Sequence, residues 1–159
     1  ADISFLKQKQ DNGADYIMTQ LCWDMDQFRY WLDAIRAAGI WLPVDVGIMP
    51  ILDQAATINM ALSRNGCVMP RALCEIISKN WIFPNPFSVG LKTAKGDEAC
   101  FDADVEGKKQ SFKEAGIEYT INQIDEYRAC GINGIHLYAL NKYDDVARIA
   151  KEAGLLDLI

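Results

Sequence analysis

Ile40-Trp-Leu-Pro-Val-Asp-Val-Gly-Ile-Met49 is the stretch on which the fold turns. Side chains alternate across a strand, so Leu42, Val44, Val46 and Ile48 form one apolar face while Asp45, Gly47 and Met49 point the other way. Two further stretches divide in the same manner. In Asp15-Tyr-Ile-Met-Thr-Gln-Leu-Cys22, the set Ile17, Thr19 and Leu21 opposes Tyr16, Met18, Gln20 and Cys22. In Gly134-Ile-His-Leu-Tyr-Ala-Leu140, the set Ile135, Leu137 and Ala139 opposes His136, Tyr138 and Leu140. An open doubly wound sheet is apolar on both faces. Polar groups gathered on one face of each strand predict instead the interior or mouth of a barrel.

The segments between these strands read as helices. Residues 3–12 close a helix at Asn12-Gly13, a left-handed stop. Asp24 and Gln27 form a capping box ahead of Phe28, Trp31, Leu32 and Ile35, an apolar stripe at i, i+3, i+4 and i+7 that ends at Gly39. Asp53 caps a helix carrying Ile58, Ala61 and Leu62 that stops at Asn65-Gly66, and Pro70 opens a short helix over residues 70–79. Residues 80–107 hold Pro84, Pro86, Gly90, Gly96 and Gly107 with an acidic cluster over 97–106; they read as an irregular insertion with a short strand near 87–91. A helix then runs from Val105 or Gly116 to Cys130, with Ile117, Ile121, Ile124 and Tyr127 near one face, and stops at Gly131. Asn141 caps a last helix whose Val146, Ile149, Ala150 and Ala153 face the core before Gly154.

Strands alternating with helices imply parallel pairing through right-handed crossovers. A complete (β/α)8 TIM barrel needs about 250 residues, and this chain has 159. The expected architecture is therefore α/β: one domain over 1–159, half of a TIM barrel built of about four βα units, with 80–107 as an insertion.

Composition narrows the function classes. With 22 acidic against 16 basic residues and a formal charge of -6, the surface repels phosphate backbones, which disfavours non-specific nucleic-acid binding. Cys22, Cys67, Cys74, Cys100 and Cys130 are scattered singly, the pattern of reduced thiols in a cytoplasmic protein. No apolar run approaches the ~20 residues that span a bilayer, so no membrane partner is expected.

Barrel active sites sit at the C-terminal ends of the strands, which places Gln20, Asp24, Gly47, Met49, Pro50, Tyr138, Asn141 and Lys142 near any site. Bland readings stand beside this one. His136 is a single histidine on a strand face and reads as structural, with no second histidine for a metal. The four tryptophans read as packing residues, Trp23 at a strand end being the exception, and the acidic run at 97–106 reads as a solvated loop without metal-loop spacing. Gln20 is the residue where function outweighs structure, because an amide at a strand end needs partners that a substrate supplies.

The segment Leu6-Lys-Gln-Lys-Gln-Asp-Asn-Gly-Ala-Asp-Tyr-Ile-Met-Thr-Gln20, then Asp24, Ala38-Gly-Ile40, Pro43, Gly47-Ile-Met-Pro-Ile51 and Gly134-Ile-His-Leu-Tyr-Ala-Leu-Asn141, resembles the methylenetetrahydrofolate reductase family. The resemblance covers residues 1–60 and 114–154 and leaves out about 80–110. It implies a flavin-dependent barrel that reduces 5,10-methylenetetrahydrofolate to 5-methyltetrahydrofolate in one-carbon metabolism, with FAD as cofactor and a nicotinamide or other electron donor. By the same resemblance, Gln20 contacts the folate pterin and Tyr138 and Asn141 join it in binding substrate. Asp2, Phe5, Gln8 and Lys9 lie along the flavin, Lys9 beside its phosphates and Gln8 where the family often has arginine. Residues 52–54 stand where the family has an aromatic that stacks on its ligands. The family's catalytic acids fall on barrel strands ahead of the matched ones, so the resemblance assigns no catalytic residue here. It implies the C-terminal half of a barrel, whose other half is a missing N-terminal half or a second copy of the chain. The alternative is a non-catalytic folate- or flavin-binding or interaction module that dimerises as a half-barrel.

Overall fold

Local sequence signals set the ends of the elements. The structure, a computed structural model, describes residues 2–63, 66–82, 97–138 and 141–156. In chain order the elements are α1 (Asp2–Asp11), β1 (Ile17–Met18), α2 (Met25–Ala37), β2 (Val44–Ile48), α3 (Gln54–Leu62), α4 (Arg71–Lys79), α5 (Asp97–Ala129), β3 (Gly134–Leu137) and α6 (Tyr143–Glu152). The Asp24 carboxylate accepts from the N–H groups of Asp26 and Gln27, and Asp53 accepts from Ala56 N–H at 2.8 Å, so both predicted caps start their helices. The chain turns left-handed at Gly13, Gly39 and Gly131, past α1, α2 and α5, with φ of 92°, 73° and 71°.

The three strands pair parallel in the order β1-β2-β3. The register places Met18 beside Asp45 and Asp45 beside Gly134, while Gly47 meets His136. Val44, Val46 and Ile48 are buried against helices, and Ile17, Phe28, Ile35, Ile117, Ile124, Tyr127 and Ile149 share their cluster. Fully burying such side chains contributes about 1.5–3 kcal/mol each. A second cluster, with Leu21, Trp23, Met49, Ile51, Leu73, Ile77 and Phe112, lies under the loops that leave β1 and β2. The opposite face of the sheet is bare: Tyr16 and Met18 are each 52 % exposed and His136 is exposed. This is a partial (β/α) barrel, one face lined by helices and the other open.

Several expectations are corrected. The described residues form three parallel strands, as part of the expected barrel, and between β2 and β3 they form three helices. One of them, α5, is 33 residues long. It starts at Asp97, so residues 97–107 are helix where an irregular loop was expected. The strand expected near 87–91 lies outside the described residues. On α3 the buried residues are Gln54 and Thr57, while Leu62 is 74 % exposed. Asn141 does not cap α6: Lys142 occupies that position, and Asn141 turns left-handed at φ 64°.

Candidate functional site

The turns that leave β1 and β2 are held by α5, which packs against α2, α3, α4 and α6. The Cys22 carbonyl accepts from Gln123 Nε2 at 2.9 Å and from the Tyr127 hydroxyl, and the Trp23 carbonyl accepts from the Tyr119 hydroxyl at 3.2 Å. These bonds fix the turn that follows Gln20. One turn earlier, Ile51 N–H donates to Thr120 Oγ1 at 3.1 Å, and a Cβ on Gly116 would lie 1.9 Å from the Ile51 carbonyl oxygen. Glycine at 116 lets the helix backbone touch the loop leaving β2. Thr120, Gln123 and Tyr127 are buried, and each bonds backbone, as buried polar groups must.

On the open face, Gly47 is the hollow around which the polar groups collect. A Cβ there would sit 2.7 Å from both the Thr19 carbonyl oxygen and the Tyr138 hydroxyl. Only glycine leaves room for the tyrosine at that point. Gly47 N–H donates to Thr19 Oγ1 at 3.1 Å, and Tyr138 N–H donates to the Ile48 carbonyl at 2.9 Å. Gln20 is exposed; its Oε1 accepts from Leu21 N–H at 3.1 Å, which leaves the amide nitrogen to donate outward. The backbone beside Gln20 and the Tyr138 hydroxyl thus meet at Gly47. Asn141, exposed, lies in the turn between β3 and α6 at the same end of the sheet.

The four residues on α1 are placed differently. Ile3 and Leu6 face a groove of about 530 Å³ that they share with Gln20, Cys22, Phe28 and Trp31, whereas Asp2, Phe5, Gln8 and Lys9 are exposed. Lys7 pairs with Asp11 at 2.6 Å, but Lys9 has no ion pair among the described residues. An unpaired cation and an aromatic ring 58 % exposed one turn apart suit a pyrophosphate and a planar ring system, so Lys9 and Phe5 fit a flavin nucleotide. Asp2, an anion, does not suit the phosphates.

Other candidates resolve toward structure. Trp23 is 2 % exposed and belongs to the second core cluster, which removes it as a ligand platform; its indole N–H has no acceptor among the described residues. His136, exposed, meets the Tyr138 ring edge-on at 4.9 Å. Burial pushes the Cys22 thiol up and the Cys67 thiol up to about 11, so neither is a ready nucleophile at neutral pH. Gln54, at the expected aromatic position, is buried and donates to the Ile77 and Asn80 carbonyls at 3.2 and 3.0 Å, tying down the end of α4. Among the described residues no group of three or more His, Cys, Asp or Glu could hold a metal, and no helix is long and apolar enough to cross a membrane. Thr120 and Gln123 escaped the sequence reading, although they recur at helical spacing with Tyr127 beside Ile117 and Ile124.

The sequence model of the methylenetetrahydrofolate reductase family matches residues 1–81. Methylenetetrahydrofolate reductase 1 of Schizosaccharomyces pombe is 32 % identical over 155 residues, which is 98 % of this chain and 21 % of that protein. Methylenetetrahydrofolate reductase (NADH) 1 of Arabidopsis thaliana is 29 % identical over 157 residues, 99 % of this chain and 22 % of that protein. Methylenetetrahydrofolate reductase 2 of Saccharomyces cerevisiae is 47 % identical over 60 residues, 38 % of this chain and 10 % of that protein. The two long alignments run on through residues 80–110, beyond the stretches that carried the resemblance. The chain spans about a fifth of the length of the first two relatives.

Proposed function

Because the chain belongs to the methylenetetrahydrofolate reductase family, we propose that it forms the folate-side part of a flavin-dependent barrel that reduces 5,10-methylenetetrahydrofolate to 5-methyltetrahydrofolate in the cytoplasm. The observation that carries this reading is the hollow at Gly47, where the Tyr138 hydroxyl and the backbone beside Gln20 converge at the C-terminal end of three parallel strands. An amide that can both donate and accept suits the matching edge of a pterin, and Gln20 extends such an amide from the turn fixed by α5. Tyr138 and Asn141 complete the substrate contacts. Lys9 and Phe5, with Gln8 beside them, hold FAD along α1. When bound, FAD supplies the hydride taken from a nicotinamide or other donor.

A barrel needs strands on both sides of this sheet, and among the described residues β1 and β3 are edges. The proposal therefore includes a complementary part that supplies the remaining strands and the acid groups of the reaction. The test is titration of the chain with FAD and, separately, with 5-methyltetrahydrofolate, followed by reduction assays with the complementary part present. Folate binding weakened about tenfold in Gln20→Leu, with turnover appearing only when the barrel is complete, is the expected result. Folate binding without flavin binding or turnover in the completed barrel would overturn the reductase reading and favour a non-catalytic binding module.

A further inference from the structure

The open face of the sheet carries a carboxylate, Asp45, that no described residue satisfies. Asp45 lies in the middle strand, beside Met18 on one side and Gly134 on the other. A Cβ on Gly134 would come within 2.1 Å of Asp45 Oδ1, so the carboxylate lies flat across β3 in space that only a glycine leaves free. It is half-buried, and among the described residues it has no hydrogen bond and no ion pair. The arginines of α2 and α5 are engaged elsewhere. Arg29 binds Glu126 at 2.6 Å, Arg36 donates to the Ile40 and Leu42 carbonyls, and Arg128 donates to the Ala153 and Gly154 carbonyls.

Closing a barrel over this face takes the Asp45 carboxylate out of water. An unpaired ionised carboxylate costs several kcal/mol there, a cost that a cation at contact distance offsets. Resting on the barrel reading above, we infer that the strands completing the barrel present a lysine or arginine side chain to the layer of Met18, Asp45 and Gly134. A second copy of this chain is the wrong occupant. Two-fold closure sets β2 against β2 across the lumen, bringing Asp45 to face Asp45 between two chains of formal charge -6 each. The relatives, about five times as long as the stretch they share with this chain, have ample further sequence for such strands. The fitting partner is therefore a heterologous set of parallel strands with one basic residue facing inward, and its charge fixes which layer meets which.

The test mixes the wild-type chain with an Asp45→Lys copy, which offers a lysine at the same layer, and reads association by analytical ultracentrifugation. Asp45→Asn is the neutral control, and Asp45→Arg replaces the lysine variant if circular dichroism shows that variant unfolded. The mixture is expected to associate about tenfold more tightly than the wild type with itself, with Asp45→Asn paired with itself in between. Added salt narrows that gap. Equal affinities for all pairings, no association in any of them, or wild-type self-association as tight as the mixture would overturn the inference. A charge-dependent pairing that binds neither FAD nor 5-methyltetrahydrofolate leaves it standing and counts against the reductase reading instead.

Discussion

Gly116→Ala and Gly107→Ala place the same methyl group on the same helix, and the structure gives them opposite signs. Alanine in a helix interior is favoured over glycine by about 1 kcal/mol. At Gly107 nothing lies within 4 Å of the added Cβ, so that gain is realised and the melting temperature rises by about 2–4 °C. At Gly116 the Cβ would lie 1.9 Å from the Ile51 carbonyl oxygen and 2.9 Å from its carbonyl carbon. Neither backbone atom can swing aside, so α5 must move off the β2 loop, and overpacking of this kind costs about 1–3 kcal/mol. The same movement stretches the bond from Ile51 N–H to Thr120 Oγ1, and a buried donor left unpaired costs a further ~1–3 kcal/mol. Net of the propensity gain, Gly116→Ala loses about 1–5 kcal/mol, a fall of about 2–20 °C for a chain of this size. Thermal and urea unfolding followed by circular dichroism measure both variants. If the two melting temperatures move in the same direction, the docking of α5 on the β2 loop is misconceived.

Four further outcomes are expected. Gln20→Leu binds 5-methyltetrahydrofolate about tenfold more weakly by fluorescence titration, with unfolding unchanged because the side chain is exposed; undiminished binding removes Gln20 from the site. Lys9→Ala weakens FAD binding about tenfold without changing stability, and an unaltered FAD affinity would place the phosphates elsewhere. Tyr127→Phe leaves the Cys22 carbonyl with Gln123 as its donor and costs about 1 kcal/mol in urea unfolding; wild-type stability would show that bond to be idle. For the thiols the sign is fixed by burial: a Cys67 value raised from 9.0 to about 11 means about a hundredfold less thiolate at any pH below 9. Mass spectrometry after iodoacetamide treatment at about pH 8 should therefore find exposed Cys74 alkylated well before Cys67, and comparable rates would contradict the burial of that segment.

The strands were legible because period-two alternation survives in each of them, and the open face is where polar residues were expected. The caps at Asp24 and Asp53 were equally legible, since each rests on a local bond between neighbours in sequence. What escaped depends on contacts between distant segments. Gly116 looks like a helix start in sequence and is a mid-helix contact with Ile51, a neighbour only in three dimensions. Gln54 and Thr57 are polar yet buried on α3, so a reading by apolar stripes turned that helix toward Leu62. Trp23 sits at a strand end like a ligand platform and was drawn inward by packing with Leu73 and Ile77. Asp45 was visible as the polar member of its strand, but that it lacks a cation becomes apparent only once β3 is laid beside it.

The register between β2 and β3 also dictates an order of events during synthesis. The bond from Val44 N–H to Asn133 Oδ1 joins positions 89 residues apart, while β1 and β2 lie either side of a single helix. At about 5–20 residues per second, a ribosome releases β2 some 5–20 s before the strand that must cover its far edge. Through that interval the edge of β2 that pairs with β3 lacks that partner. Sequence-distant pairing of this kind is slow even after release, so the chain's hazard during expression is edge-to-edge aggregation, and slower growth at low temperature with chaperone support addresses that step directly.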